Sequence, residues 1–420
     1  MSLLEKIREH KWFLLVLLAA IIVRMWWFWE PNLGVYDETF YWAVAENMIG
    51  IRHLQMPEPT YLGRAVQISI QGAWAIPVGT PLFVDFNYGQ PTFPKAIMAL
   101  SLLVFGDNLV AMRIPSLILG ILAIPVVYLI VLRLSNRSTA TVAAFLLSFE
   151  NLFFMHGRVG VLDIYPLFFS ALAVLLALHN HYLCGILSAA LAANGKFVGI
   201  VILPVILLII LMQNTGSSKR AQVKRLSLHS LIGVGLAATI FLTFNTLFFI
   251  EKNPLMLLQK TGSELLVYQI PLIGGFQSNP WEWLLNQRPL SIKIWGTFNA
   301  SLSYDGTGYA NPLILFLAIP TLAVMLDWAI RKKDKLALIS AGWFLFTYLP
   351  YYLLVWSNRQ LFMFYFLQCI PPICIGIAHM LNDVPKSFKY GYLAMVMVAF
   401  VYLYPYLFIL TLLFGVSPTG

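Results

Sequence analysis

The sequence predicts an all-α polytopic membrane protein, on two observations. Hydrophobic residues make up 60% of the 420-residue chain and charged residues only 11%, with a mean hydropathy of +0.78. Apolar runs near the roughly 20 residues that cross a bilayer as a helix recur along its length. These runs are continuous rather than alternating, which argues against a membrane barrel.

The first span is read at residues 12–29. Its basic start, up to Lys11, is weak, and the apolar run behind it is long and Trp-rich, as in a retained span rather than a cleaved signal peptide. A polar and aromatic outer segment with many Pro and Gly follows over about 30–108. Further spans are read at 110–132, 139–157, 162–179, 182–195, 197–213, 228–250, 311–330, 336–356, 361–381 and 389–413, about eleven in all. Residues 95–105 are apolar but short, the pattern of a helix lying in the interface. A second outer loop spans about 251–310, and neither loop is long enough for a separate domain, so the whole of 1–420 reads as one integral membrane domain.

The net charge of +9 has a topological reading rather than a nucleic-acid one. If 95–105 does not cross, Lys6/Arg8/Lys11, Arg133/Arg137, Lys219/Arg220/Lys224/Arg225, Arg331/Lys332/Lys333/Lys335 and Lys386/Lys389 all fall on one side. The positive-inside rule makes that side the cytoplasm, with the N-terminus inside and the C-terminus outside. Cys184, Cys369 and Cys374 lie in apolar segments and read as small hydrophobes.

The remaining conspicuous polar groups then gather on the outer face: Asp37, Glu38, Asp85, Lys95, Arg113, Arg158, Asp163, Lys196, Glu282, Arg288 and Arg359. Ionisable groups at a membrane boundary are costly unless paired or ligand-bound. Mixed charges on one outer face suit an anionic, membrane-embedded substrate. No His, Asp and Glu cluster has convincing metal spacing; a divalent ion near Asp37 and Asp85 is left open. Glu150, inside a span, reads as a buried neutral or paired acid.

Five local patterns share one order along the chain. They are Tyr36-Asp37-Glu38 after the first span, Gly157-Arg158…Asp163 with the Asp five residues after the Arg, and Lys196-Phe197-Val198-Gly199 at a span start. Asn279-Pro280-Trp281-Glu282-Trp283 with Arg288-Pro289, and Asn358-Arg359-Gln360-Leu361-Phe362, complete the set. Together they resemble the protein O-mannosyltransferases (glycosyltransferase family 39), over about 12–380. The aminoarabinose-type lipid A transferases share the fold and some of these patterns; the Pro-Trp-x-Trp…Arg-Pro loop favours the mannosyltransferase side. The departures are Gln90-Pro91-Thr92-Phe93-Pro94-Lys95 in place of His-Pro-Pro-Leu-x-Lys, Thr39-Phe40 after the acidic pair in place of Val-His, and no β-trefoil-sized insertion. They point to a compact, prokaryotic or archaeal-like member.

The resemblance implies a class C glycosyltransferase fold, a polyprenyl-phosphate sugar donor, usually dolichyl-phosphate mannose, and a protein or peptide acceptor. It implies a catalytic role for Asp37, since an acceptor hydroxyl must lose its proton to attack the anomeric carbon; Glu38 would orient the acceptor or the base. Arg158, Lys196 and Arg359 would meet the leaving lipid phosphate. Asp163 would bind sugar hydroxyls or pair with Arg158. Asp85, Trp281, Trp283 and Arg288 would serve the acceptor side. The family often forms dimers, but no stretch of this sequence marks an interface. Asn299-Ala300-Ser301 is a glycosylation sequon on the outer side of this topology.

Overall fold

The computed structural model describes residues 3–26, 28–29, 37–51, 55–56, 76–77, 80–249, 252–267, 277–287, 291–295, 303–307 and 309–403. Each apolar run named above is mainly helical over its described residues. Among the described residues, five helices are long and apolar enough to cross a membrane by length and composition: Leu109–Leu134, Lys219–Phe248, Pro312–Arg331, Lys335–Trp356 and Met363–Met380. Shorter apolar helices, Thr92–Phe105, Ile164–Leu178, Tyr182–Gly195 and Phe197–Gln213, complete the bundle. This is an integral, multi-pass helical membrane protein.

Local chemistry sets the helix starts. Asn108, Asn136, Ser218 and Asp334 each accept a backbone N–H of the first turn that follows, so these helices begin where a short polar side chain can satisfy an orphan donor. The first span, Lys11–Met25, docks through Phe13, whose ring stacks on Tyr128 at 3.8 Å between centroids. His10 adds a 2.6 Å contact to the same tyrosine hydroxyl.

Several runs that read as single spans are broken, and the breaks are informative. The 139–157 run divides into Arg137–Ser148 and Asn151–His156. Glu150 sits at the break, taking Phe153 N–H on one oxygen at 2.7 Å and Asn311 N–H on the other at 2.9 Å. Its carboxyl is thus spent on backbone, as a buried acid requires. The 197–213 run opens as a 3₁₀ turn, Phe197–Ile202, and 361–381 opens as another, Met363–Cys369. Lys335–Tyr348 yields to Pro350–Trp356 at a proline.

The two long loops hold short helices as expected: Glu38–Met48 and Thr92–Phe105 in the first, Pro254–Val267 and Pro280–Trp283 in the second. They also hold two small ribbons absent from the sequence reading. Gln55–Met56 pairs in parallel with Ile76–Pro77, and Ser291–Trp295 pairs antiparallel with Ser303–Thr307. The alternating Ser-Ile-Lys-Ile-Trp favours the second ribbon. The helix at 95–105 starts earlier, at Thr92, and exposes Leu100, Leu103, Val104 and Phe105.

Candidate active site

The site is assembled from four pieces of chain: the start of helix Glu38–Met48, the turn Gly157–Asp163, Lys196, and the segment 358–365. Asp37 precedes the helix in a helical backbone conformation (φ −66°, ψ −8°) and makes no side-chain cap bond, so helix capping does not consume its carboxylate. Tyr41, one turn on, directs its hydroxyl to Asp37 Oδ2 at 3.5 Å. Burial raises the Asp37 carboxyl from its ordinary 3.8 to about 6; Lys196 pulls it down and Asp163 pushes it up. Those two residues therefore lie within electrostatic reach of Asp37.

Glu38 points elsewhere. It is fully buried, and Arg113 grips it with two parallel bonds, Nε to Oε1 at 2.7 Å and Nη2 to Oε2 at 2.8 Å. The Gly160 N–H donates to Oε1 at 2.6 Å. A Cβ on Gly160 would stand 2.9 Å from Met112 and 3.2 Å from that same oxygen, so the residue there has to be glycine for the turn to close on Glu38. Glu38 thereby clamps the helix that carries Asp37 to the Gly157–Asp163 turn. Arg113 had no assigned role in the sequence reading; its only signal there was membership of the outer-face charge cluster.

Asp163 pairs with Lys196, not with Arg158: Lys196 Nζ lies 2.7 Å from Asp163 Oδ1. The Lys196 ammonium also sits 4.7 Å from the Phe364 ring centre and 5.0 Å from that of Tyr365, so acid and π-faces hold the cation together. Gly199 makes this geometry possible. Its added Cβ would lie 2.1 Å from the Ala192 carbonyl oxygen, so only glycine lets the 3₁₀ turn fold back against helix Tyr182–Gly195. Gly199→Ala is expected to cost about 3 kcal/mol by overpacking and to displace Lys196; thermal denaturation in detergent measures it, and an unchanged midpoint would refute the close approach.

Arg158 donates from Nη2 to the Trp26 carbonyl at 2.9 Å and lies 5.3 Å from the Phe154 ring centre, which ties the end of the first span to the turn. Arg359 is half-buried on the segment that leads to Phe364 and Tyr365.

The acceptor-side residues separate. Asp85 is buried against Lys95 at 2.5 Å, with Thr92 Oγ1 at 2.8 Å from Oδ2 and the Asn87 N–H at 2.8 Å from Oδ1. Lys95 also donates to the carbonyls of Asn87 and Gln90. Asp85 is thus the anchor of the 85–95 turn rather than an open site group, and this explains why a lysine ends that motif. Trp283 is completely buried, donates to Ser278 Oγ at 2.9 Å and meets Tyr351 edge-on at 5.0 Å. Tyr351 in turn stacks on Tyr365 at 5.8 Å, so Trp283 backs the aromatic wall beside Lys196 instead of offering a platform. Trp281 is 49% exposed near Tyr352 and can meet a ligand. Arg288 and the sequon at 299–301 lie outside the described residues. Among the described residues, no three His, Cys, Asp or Glu gather as metal ligands.

Solved structures share this architecture. The chain matches apo ArnT from Cupriavidus metallidurans with a TM-score of 0.56 and 15% identity, over 92% of this chain and 62% of that one. It matches the S. cerevisiae protein O-mannosyltransferase Pmt1-Pmt2 complex bound to the sugar donor with a TM-score of 0.64 and 11% identity, over 94% and 89%. It also matches the Archaeoglobus fulgidus oligosaccharyltransferase AglB, in complex with an inhibitory peptide and a dolichol-phosphate, at 0.55 and 13%, over 96% and 56%. The chain therefore spans less than two thirds of the apo ArnT and AglB chains. The fold is that of the class C membrane glycosyltransferases. Within it, residues 89–249 match the family model of the dolichyl-phosphate-mannose-protein mannosyltransferases, which bears out the resemblance carried by the sequence motifs. No curated protein matches the chain in sequence.

Proposed function

We propose that this protein transfers mannose from a polyprenyl-phosphate donor to Ser or Thr hydroxyls of a protein, at the outer membrane face. One observation carries the reading: a buried carboxylate, Asp37, that caps no helix and lies within electrostatic reach of the Asp163–Lys196 pair. Asp37 takes the acceptor hydroxyl's proton as that oxygen attacks the anomeric carbon. Lys196, together with Arg359 and Arg158, meets the phosphate that leaves with the glycosidic electrons. Glu38 is held by Arg113 and Asp163 by Lys196, so neither of these two carboxylates is free to act as nucleophile; the displacement is single and inverts the anomeric configuration. Trp281 would lie along the acceptor. The family match and the donor-bound mannosyltransferase of the same fold support mannose and a protein acceptor.

The test is transfer of labelled mannose from dolichyl-phosphate mannose to a Ser/Thr-rich peptide by purified protein in detergent. Label on the peptide is the expected result. A folded protein that labels lipid instead would move the assignment to an ArnT-like acceptor; one that labels neither, with any polyprenyl-phosphate sugar, would remove the activity altogether.

A further inference from the structure

Gln360 is buried, at 4% exposure, yet among the described residues neither its Oε1 nor its Nε2 has a hydrogen-bond partner. Buried amides are normally satisfied, and leaving both ends unpaired costs stability. The segment around it is not loose. Ser357 N–H bonds to Leu353 O at 3.2 Å, Ser278 N–H bonds to Leu361 O at 2.9 Å, and Tyr351 Oη donates to Tyr365 O at 3.0 Å. Asn358 turns the chain with φ 55°, a left-handed conformation that asparagine tolerates. The backbone on either side of Gln360 is therefore fixed, and the Phe362 ring two residues on stacks at 5.4 Å on Phe364, the ring beneath the Lys196 ammonium.

The chemistry of the amide selects its partner. Its oxygen accepts and its NH₂ donates, side by side. Phosphate oxygens only accept, and a polyprenyl tail does neither. Neighbouring sugar hydroxyls do both. A peptide main chain also does both, but burial of the amide confines its partner to a small group, not a chain flanked by side chains. We propose that Gln360 binds two neighbouring hydroxyls of the donor's sugar, and so distinguishes a glycosylated polyprenyl phosphate from the bare lipid phosphate. This rests on reading the chain as a polyprenyl-phosphate-sugar transferase, but not on which sugar or acceptor it uses.

The experiment compares full-length wild type with Gln360→Met, of similar volume and apolar. Binding is measured in detergent, without acceptor, for polyprenyl phosphate alone and carrying mannose, glucose or N-acetylglucosamine. Wild type should prefer at least one sugar-bearing lipid over the bare phosphate. In the variant that preference should fall about tenfold to a hundredfold, the worth of a buried hydrogen-bond pair, while affinity for the bare phosphate stays unchanged. The ligand-free variant should also melt at a higher temperature than wild type, because it buries no unpaired amide. An equal loss for bare and sugar-bearing lipids would assign Gln360 to the phosphate and overturn the proposal. So would a preference for the sugar-bearing lipid that the variant keeps intact, whatever its melting temperature. A folded wild type that binds none of these lipids would sink the transferase reading together with this one.

Discussion

Asp37→Asn is expected to lower kcat/KM for sugar transfer by about a hundredfold to ten-thousandfold, the usual contribution of a general base, with folded yield unchanged. The pH dependence sharpens this. The base works only when ionised, and burial lifts its carboxyl to about 6 against the pull of Lys196. Wild-type activity should therefore climb through pH 6 and level off above it, rather than through the usual carboxylate range near 4. The same shift affects stability with a definite sign. Between about pH 4 and 6 the folded protein holds a proton on Asp37 that the unfolded chain has released, so this group's contribution to stability is present at low pH and lost as pH rises through about 6. Asparagine cannot ionise. The variant should thus be more heat-resistant than wild type at pH 7 and match it more nearly at pH 4.5, in the manner of residues kept for function at a cost in stability. Retention of a tenth or more of the activity would take the base role away from Asp37, and an acid limb near pH 4 would assign the ionisation to a less buried group.

The parts of this molecule legible in its sequence are those that depend on nearby residues. Span positions follow from run length, and the acidic pair stands out by its rarity next to a membrane. Pairing across the bundle was not legible, since nothing in the sequence tells which of several outer-face cations meets which acid. Asp163 follows Arg158 by little more than one helical turn, yet the chain between them is a turn rather than a helix, and Lys196 takes the acid instead. Trp283 and Trp281 look alike in the motif, but the short capped helix Pro280–Trp283 buries one and exposes the other. Broken spans were missed for a related reason. Hydropathy averages over a window, whereas the breaks come from single groups, such as Glu150 satisfying two backbone donors or Gly199 admitting a carbonyl. The breaks at 149–150, 197–202 and 363–369 adjoin the turn and cage around Lys196, where irregular backbone aims side chains that a straight helix would not.

The second large effect is expected at the clamp behind Asp37. Arg113→Met leaves the Glu38 carboxylate buried without its bidentate partner, a change that costs about 3–5 kcal/mol. A sharp drop in melting temperature, or failure to recover monodisperse protein, should follow. Instability alone would not show that the clamp positions the base, and the double variant Glu38→Leu/Arg113→Met separates the two roles. Replacing both members of a buried ion pair with apolar groups is often neutral or stabilising, so the double variant should regain much of the lost stability. It cannot regain the bond from Gly160 N–H to Glu38 Oε1, which ties the Asp37 helix to the turn bearing Asp163. If that tie sets where Asp37 stands, the double variant should be folded, bind donor with near wild-type affinity, and turn over slowly, with the loss in kcat rather than KM. Its acid limb should also move from about 6 toward the ordinary carboxylate value as Asp37 gains solvent. A double variant that is both stable and fully active would reduce the clamp to packing, and Asp37 would then owe its position to its own helix and to Tyr41.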